Sequence, residues 1–349
     1  MTTQSPSASY NARPARRTAL AITLVLALFA ITACSEEQKI GEVEPYPPPN
    51  PLIYEIANAD GEVEGWLLGT IHALPKGVFW RTAAIEEVTE RSDLLLVEVA
   101  DLGASDDVAD TFAELSYTPG LDPIDQRLNP ALQSQLELML ASSDFSASSF
   151  VDVEDWASAI MLAQIDAPGE PRFGVDRAII SEFEGRPVRG FETARSQLWI
   201  FDTLAADDQR TLLEGTIKEW ASSRENPGRL LRAWIAGDVG PLEKATTDGI
   251  MADPELRDAL LVNRNKDWVT QLLPVLATDQ KPLVAVGTAH LVGADGLPAM
   301  LEQHGYTAKR VIAHSSIDDF SVVFSPPRAM CAELGVLVIP GGGTCKALK

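Results

Sequence analysis

The chain has 349 residues, a net charge of −22 and a hydrophobic fraction of 46%, which is typical of a globular protein with one large or two small domains. So large an acidic excess argues against nucleic acid as a partner and against binding to anionic lipid through a basic patch. The net charge gives little information about the chemistry that the protein carries out.

The first 33 residues predict a secretory signal peptide. Three arginines and no acidic residue precede an apolar run from Ala19 to Ala30, which is shorter than the roughly 20 residues that cross a membrane. A basic start followed by a short apolar segment is typical of such a signal. Its removal would take the net charge from −22 to −25, because three arginines are lost. An uncleaved helical anchor is the alternative.

The segment Ile31-Thr32-Ala33-Cys34 resembles the lipobox of bacterial lipoproteins, in which the cysteine is acylated and becomes the new N-terminus. This resemblance implies a lipid on Cys34 that holds the protein on the periplasmic face of a bacterial membrane. The residue after the cysteine is Ser35 and not an aspartate, which favours export of the protein to the outer membrane. Residues 34–51 contain five prolines and predict an extended tether between the lipid and the domain.

A C-terminal extension, residues 326–349, contains the two remaining cysteines, Cys331 and Cys345. Because disulfides persist in an oxidising periplasm, we expect these two cysteines to form one. Two free buried thiols are the alternative. The three glycines at 341–343 lack the Lys-Ser/Thr that follows a phosphate-binding loop, so they predict a turn.

The domain is expected to begin with a β-hairpin. The apolar runs Leu52–Ile56 and Gly65–Gly69 flank a turn-forming segment, Asn58–Gly61. A helix is predicted over Thr82–Arg91. The continuous apolar run Leu94–Val99 is typical of a strand that is covered on both faces.

The middle of the chain, from about residue 104 to residue 276, predicts mostly helices. Asparagine or aspartate precedes Pro130, Pro227 and Pro254, a pairing that is typical of helix starts. One predicted strand, Pro187–Phe191, interrupts this region. The helical segments with the clearest apolar spacing are Asn129–Ser142, Val153–Ile165, Asp207–Trp220 and Pro254–Leu273.

The last third predicts a buried strand at Pro282–Gly287, a helix over Asp295–His304 and a strand at Ala308–Ile312. Together these elements predict one α/β (α+β) domain over residues 52–325. Its central, mostly parallel sheet would be built from both ends of the chain, with a large helical insertion between them.

Two of the four histidines stand in near-identical settings more than 200 residues apart, Gly69-Thr70-Ile71-His72 and Gly287-Thr288-Ala289-His290. Each motif follows an apolar strand, and ligands of open α/β sheets bind beyond the carboxyl ends of strands. We therefore expect both rings to reach a common ion or water, with the coordinating nitrogens no more than roughly 4–5 Å apart when a metal is bound. Two unrelated loop histidines are the alternative, and no role is expected for His304 or His314.

Carboxylates near other strand ends are candidate partners of these histidines. Glu98 interrupts an apolar strand, and a buried carboxylate must be paired, protonated or bound to metal. Glu192 follows the strand within the helical region, and Asp176 is expected to cap a helix. A structural salt bridge is the alternative for both glutamates. Arg264 and Asn265 either orient a carboxylate or an oxyanion in catalysis, or lie on a solvated surface.

In their order and spacing these motifs resemble the TraB/GumN/PrgY family. The matching segments are Gly69–His72, Leu96–Glu98, Gly174–Asp176, Phe191–Thr193 with Gln197, Arg264-Asn265 with Trp268, and Val284–Gly293 followed by Gly296-Leu297 and Gly305-Tyr306. That family includes the Tiki proteins, which are metal-dependent proteases acting on Wnt, and is distantly similar to erythromycin esterases and haem-binding ChaN proteins. The resemblance implies that His72, His290, Glu98 and Glu192 form an active centre.

The leading hypothesis is a membrane-tethered, metal-dependent hydrolase that acts on a peptide or protein. Mn²⁺, Co²⁺ or Zn²⁺ would be held by His72, His290 and Glu98, with Glu98 or Glu192 as the general base. No His-Glu-x-x-His motif occurs, so the site is not of the zincin type. The alternatives are the same residues activating water without metal, a haem- or metal-binding protein without turnover, and a module that sequesters a peptide.

Overall fold

The computed structural model describes residues 45–100 and 105–312. Contacts divide the chain into two units, Met1–Pro45 and Tyr46–Lys349, and the second unit holds the whole fold described below. Within the described ranges no helix is both long enough and apolar enough to span a membrane.

Several features expected from the sequence lie outside the described residues. They are the signal peptide, the lipidation site Cys34, the first part of the tether, His314, and the C-terminal extension with Cys331 and Cys345. The anchor and the disulfide therefore stay predictions.

The strands form a single mixed sheet in the order β4-β3-β5-β2-β1-β6. The strands are β1 (Ile53–Ala57), β2 (Val63–Thr70), β3 (Leu94–Val99), β4 (Val188–Glu192), β5 (Pro282–Gly287) and β6 (Thr307–Arg310). β4, β3, β5 and β2 run parallel to one another. β1 pairs antiparallel with β2, and the edge strand β6 pairs antiparallel with β1, so β1 alone among these strands runs in the opposite direction. The predicted sheet is confirmed, because β2 from the start of the domain pairs directly with β5 from its end.

The apolar strands are the ones that the fold buries on both faces. All six residues of β3 and the first five of β5 are buried. The hairpin of β1 and β2 turns at Asn58, whose side-chain oxygen accepts hydrogen bonds from the backbone N–H groups of Asp60 and Glu62. An asparagine that binds the following backbone in this way stabilises a tight turn.

Helices occupy the predicted positions, with shifts of a few residues at their ends. For α1 the cap is Thr82, whose hydroxyl accepts from the backbone N–H of Ile85. The helices are α1 (Ala83–Arg91), α2 (Ser105–Leu115), α3 (Gln133–Ala141), α4 (Asp155–Leu162), α5 (Val175–Glu182), α6 (Ala194–Asp202), α7 (Ala206–Ser223), α8 (Arg229–Ala236), α9 (Val239–Ala245), α10 (Pro254–Arg257), α11 (Asn263–Leu276) and α12 (Leu297–Gln303).

Two expected helix starts are wrong. α8 begins at Arg229 and not at Pro227, because Gly228 takes a left-handed conformation with φ of 76° and separates the proline from the helix. Asp176 does not cap α5. Gly174 occupies the cap position, and the carboxylate of Asp176 binds side chains at the end of β2 instead.

A π-helical turn, Asp258–Val262, joins α10 to α11 inside the segment predicted as one helix. The backbone N–H of Asn263 reaches the carbonyl of Asp258, five residues earlier. Such turns occur often at functional sites. Here the turn directly precedes Arg264 and Asn265.

Buried apolar side chains form two clusters among the described residues. One cluster packs on both faces of the sheet. The second lies wholly within the helical insertion and includes Phe150, Trp156, Leu213 and Ile217. The insertion therefore has a hydrophobic core of its own.

A buried ion pair holds this second core together. The carboxylate of Asp155 accepts from Nη1 of Arg127 at 2.6 Å and from Nε of Arg210 at 2.5 Å. Asp155→Ala leaves the buried Arg127 without its counter-ion, so we expect it to lower the free energy of unfolding by about 3 kcal/mol or more. Urea denaturation measures this loss.

The matched control is Glu114→Ala, which removes an ion pair with Arg195 in which both side chains are exposed to solvent. Solvent-exposed pairs contribute little, so this variant should unfold at the wild-type urea midpoint. Equal midpoints for the Asp155 and Glu114 variants would contradict a structural role for the buried pair.

Candidate active site at the carboxyl end of the sheet

Four parallel strands end at the same edge of the sheet, and each delivers one candidate residue. β2 leads to His72, β5 leads to His290, Glu98 is the second-last residue of β3, and Glu192 is the last residue of β4. The strand order therefore sets the order of the side chains along the edge, which is Glu192, Glu98, His290 and His72. This is where parallel sheets bind ligands.

The two Gly-Thr-x-His motifs are joined through their threonines. The hydroxyl of Thr288 donates to the backbone carbonyl of Thr70 at 2.9 Å, and the hydroxyl of Thr70 donates to Oδ1 of Asp176 at 2.5 Å. A Cβ atom on Gly69 would lie 2.7 Å from the hydroxyl oxygen of Thr288. Glycine at that position thus permits the close approach of the two strand ends.

His72 is held by a carboxylate. Its Nδ1 lies 2.9 Å from Oδ2 of Asp176, and because a carboxylate only accepts, the ring nitrogen donates. This hydrogen bond raises the pKa of His72 to about 9, so the ring is cationic at neutral pH. The side chain is 68% exposed, which leaves Nε2 accessible from solvent.

His290 is held by an amide and is buried. Its Nδ1 lies 2.6 Å from Oδ1 of Asn265, whose Nδ2 donates to the backbone carbonyl of Asp295 at 2.6 Å. Because Nδ2 must face that carbonyl, Oδ1 faces the ring and His290 carries its hydrogen on Nδ1. Burial lowers the pKa of His290 to about 3, so the ring is neutral with a lone pair on Nε2.

Glu98 is buried and bound through both oxygens. Oε2 accepts from Nη2 of Arg264 at 2.7 Å and from Nε2 of Gln197 at 3.1 Å, and Oε1 accepts from the backbone N–H of Gly287 at 2.8 Å. Burial raises the pKa of Glu98, but the neighbouring imidazoles and the Arg264 guanidinium outweigh that effect and hold the pKa at about 2. The group is therefore ionised at neutral pH.

Glu192 is directed at Arg264. Its Oε1 accepts from Nε of Arg264 and from Nε1 of Trp268, and its Oε2 accepts from Nη2 of Arg264 and from Nε2 of Gln197. Nη1 of Arg264 also lies 3.3 Å from Nε2 of His290. Arg264 thus orients two carboxylates, and both oxygens of Glu192 are used in holding it.

Oε1 of Glu98 is the point at which the two histidines converge. It lies 4.0 Å from Nε2 of His72 and 3.9 Å from Nε2 of His290. The rings of the two distant motifs therefore face the same small space. The aromatic ring of Trp268 packs against His290, with ring centres 4.3 Å apart.

Two imidazoles and a carboxylate are the types of ligand that a divalent transition metal binds. In addition, Nδ1 of each ring already has a hydrogen-bond partner, as in metal-binding histidines, which leaves Nε2 for the metal. Ligand atoms of one tetrahedral ion lie roughly 3.4 Å apart. The distances from Oε1 of Glu98 to the Nε2 atoms of His72 and His290, 4.0 Å and 3.9 Å, are larger than this. Within residues 45–100 and 105–312, no group of three or more His, Cys, Asp or Glu side chains is arranged closely enough to hold an ion as the chain stands. Binding would require the two rings and Glu98 to draw closer.

The polar groups lie at one end of a cavity of about 460 Å³. The rest of its wall is mostly apolar and includes Ile71, Ile200, Phe201, Leu230, Trp234, Leu242, Leu260 and Ala289. A smaller cavity of about 230 Å³ also borders His72, Glu98 and Gln197. A substrate in either cavity would contact the same central residues.

Sequence reasoning selected the histidines and glutamates, and it offered Arg264 and Asn265 as residues that orient them, but it missed the threonines and misassigned Asp176. Thr70 and Thr288 occupy the same position in the two motifs, and this repeated threonine could have identified both as residues of the site. Asp176 was assigned to a helix cap, whereas it binds His72. The sequence left open whether Asn265 lies on a solvated surface. The structure buries it fully, in contact with His290.

Comparison with known proteins identifies the family of the chain. The model of the TraB/PrgY/gumN family matches residues 52–310, a range that contains all six strands and every residue of the site. No curated protein and no solved structure matches the chain. Because the family match covers most of the chain, the protein belongs to the TraB/PrgY/gumN family.

Proposed function

We propose that the protein is a hydrolase that cleaves peptide bonds with water activated between His72, His290 and Glu98, and that it uses a divalent transition metal. The observation that carries this proposal is the position of Oε1 of Glu98, within 4.0 Å of the Nε2 atoms of both histidines. Each ring is also fixed from behind through Nδ1. Such preorganisation is what catalysis of water attack needs.

His72 and His290 would hold the metal, and Glu98 would either be its third ligand or accept the proton of the water. Bound Mn²⁺, Co²⁺ or Zn²⁺ would lower the pKa of a water molecule and polarise the carbonyl of the substrate. His290 offers a lone pair on Nε2, whereas the cationic His72 would release its Nε2 proton to become a ligand.

Glu98 is favoured over Glu192 as the group that accepts the proton of water. Glu98 is ionised, and its Oε1 faces both rings. Among the described residues, Oε1 of Glu98 accepts only from the backbone N–H of Gly287. Both oxygens of Glu192 instead accept from Arg264, so Glu192 serves to position Arg264. Arg264 in turn positions Glu98 through Nη2.

We further propose that the chain acts as a lipoprotein on the periplasmic face of a bacterial membrane, most consistent with the outer membrane. The proposal rests on the basic and apolar start of the sequence and on Cys34 in its lipobox-like setting. Acylation would supply the membrane affinity, and the proline-rich segment would carry the domain away from the lipid.

A haem- or metal-binding protein without turnover is the second candidate. The observation that favours it is the apolar cavity beside His72 and His290, since a haem site needs an axial histidine and an apolar pocket. Absorbance titration with haem separates the candidates: a haem binder gives a saturable Soret shift that is lost in His72→Ala or His290→Ala.

The hydrolase is tested with Glu98→Gln in a peptide-library cleavage assay monitored by mass spectrometry. Loss of the proton acceptor should lower kcat/KM by at least about 100-fold. The matched control is Glu114→Gln, the same chemical change at an exposed carboxylate of α2, and it should retain full activity. Wild-type rates in the Glu98 variant would rule out the proposed mechanism.

The metal is tested by chelation followed by addition of Mn²⁺, Co²⁺ or Zn²⁺ separately. Activity should disappear with chelator and return with one of the ions. Because the two histidines act as a unit, the double variant His72→Ala/His290→Ala should have a kcat/KM no more than a few-fold lower than that of either single variant. Cleavage that survives chelation would instead support activation of water without metal.

The role of Asp176 is tested by Asp176→Asn in metal-free buffer. The amide cannot stabilise the imidazolium as the carboxylate does, so the pKa of His72 should fall from about 9 toward 6.5. NMR titration of the ring Cε1–H measures it, and the control is Glu114→Gln, the same chemical change at an exposed carboxylate, which should leave the pKa of His72 at about 9. An unchanged pKa of His72 would contradict the proposed positioning.

The anchor is tested by Cys34→Ser and labelling with a radioactive or alkyne-tagged fatty acid. Removal of the acyl acceptor should abolish labelling and release the protein from membranes or leave its precursor uncleaved. Cys331→Ser is the control and should label as the wild type does. Normal labelling of the Cys34 variant would exclude this lipidation site.

A further inference from the structure

The larger cavity has two chemically different parts. Its ionisable lining groups, His72, Glu98, Arg264 and His290, all belong to the polar end and contact one another. The other described lining residues carry no charge, and most are aliphatic or aromatic. The cavity therefore continues from the candidate reaction centre into an uncharged, apolar chamber.

The chamber is preformed and is tied to the site. Trp234 is buried, and its indole Nε1 donates to the backbone carbonyl of Gly69 at 2.9 Å, at the end of the strand that leads to His72. Phe201 stacks on Trp156 in the core of the helical insertion, with ring centres 6.2 Å apart. The walls are thus fixed by the sheet on one side and by the insertion on the other.

Such a chamber selects its occupant by polarity. A charged group would lose its hydration there without finding a partner, whereas an apolar group would leave water favourably. A cavity of about 460 Å³ lies within the usual range for bound small molecules, so it has room for a large side chain. Because the cavity is continuous with the polar end, that side chain would adjoin the bond being cleaved.

We propose that this chamber is a specificity subsite for a large apolar side chain, such as leucine or phenylalanine, next to the scissile bond of a peptide. Its role in cleavage rests on the hydrolase proposed above, but its ability to bind apolar side chains does not. Leu230 is the best residue for a test, because it lines the chamber and is 41% exposed, so a polar substitution there leaves the core intact.

The first measurement is binding, without turnover. N-acetyl-leucinamide and N-acetyl-phenylalaninamide are titrated into the full-length protein by ligand-observed NMR, with the N-acetyl amide of aspartate as the charged probe. The two apolar probes should bind, and Leu230→Asp should weaken them by about tenfold. The control is Leu138→Asp, the same change on α3 at a leucine that is 64% exposed and does not line the cavity, and it should bind as the wild type does.

The second measurement is the peptide library, read for the residues that flank each cleaved bond. The wild type should favour a large apolar residue on one side, and Leu230→Asp should reduce kcat/KM for those peptides by about tenfold while shifting preference toward lysine or arginine. Thermal unfolding verifies that the variant is folded, and Leu230→Ser replaces it if it is not.

The two measurements separate failure of the subsite from failure of the hydrolase. If no peptide is cleaved but the apolar probes bind in the expected order, the hydrolase is wrong and the subsite stands. If peptides are cleaved without apolar preference and the probes bind equally to wild type and Leu230→Asp, the subsite is overturned and the hydrolase stands.

Discussion

The burial of Glu98 is the constraint on which the site depends. A carboxylate inside a covered strand must be matched by opposite charge and by hydrogen-bond donors. Arg264, Gln197 and the backbone N–H of Gly287 supply these, and they come from the helical insertion and from the neighbouring strand. Arg264 is itself balanced by Glu192. One buried charge therefore holds the sheet, the insertion and the site in a fixed relation.

The doubled Gly-Thr-x-His motif can be understood position by position. Glycine allows close approach, since a side chain on Gly69 would meet Thr288 and one on Gly287 would lie 3.0 Å from Oε1 of Glu98. Threonine connects the two strand ends, and histidine faces the shared space. Parallel pairing of β2 with β5 brings the two copies side by side. The second copy adds the contact between Thr288 and Thr70 that a lone copy would lack.

The sheet and the insertion contribute different things to the site. The sheet delivers His72, His290, Glu98 and Glu192 at its carboxyl edge, whereas the insertion delivers partners such as Asn265 and much of the apolar wall. One part of the insertion has its own core, whereas the part that carries Trp234, Leu242 and Trp268 packs in the cluster on the sheet. Its π-helical turn stands directly before Arg264 and Asn265, where both side chains must reach the edge of the sheet.

Local patterns in the sequence determined the hairpin, the buried strands, most helices and the family, because apolar periodicity and motif spacing reflect short-range geometry. They also singled out His72 and His290 through the repeated motif. Only the tertiary structure decided which nitrogen of each ring is held, that Asp176 binds His72 across 104 positions, and that Arg264 reaches Glu98 across 166. It also decided that Glu192 faces Arg264 and that an apolar chamber adjoins the site. Contacts between residues so far apart depend on how whole elements pack, and periodicity along the chain carries no record of that packing.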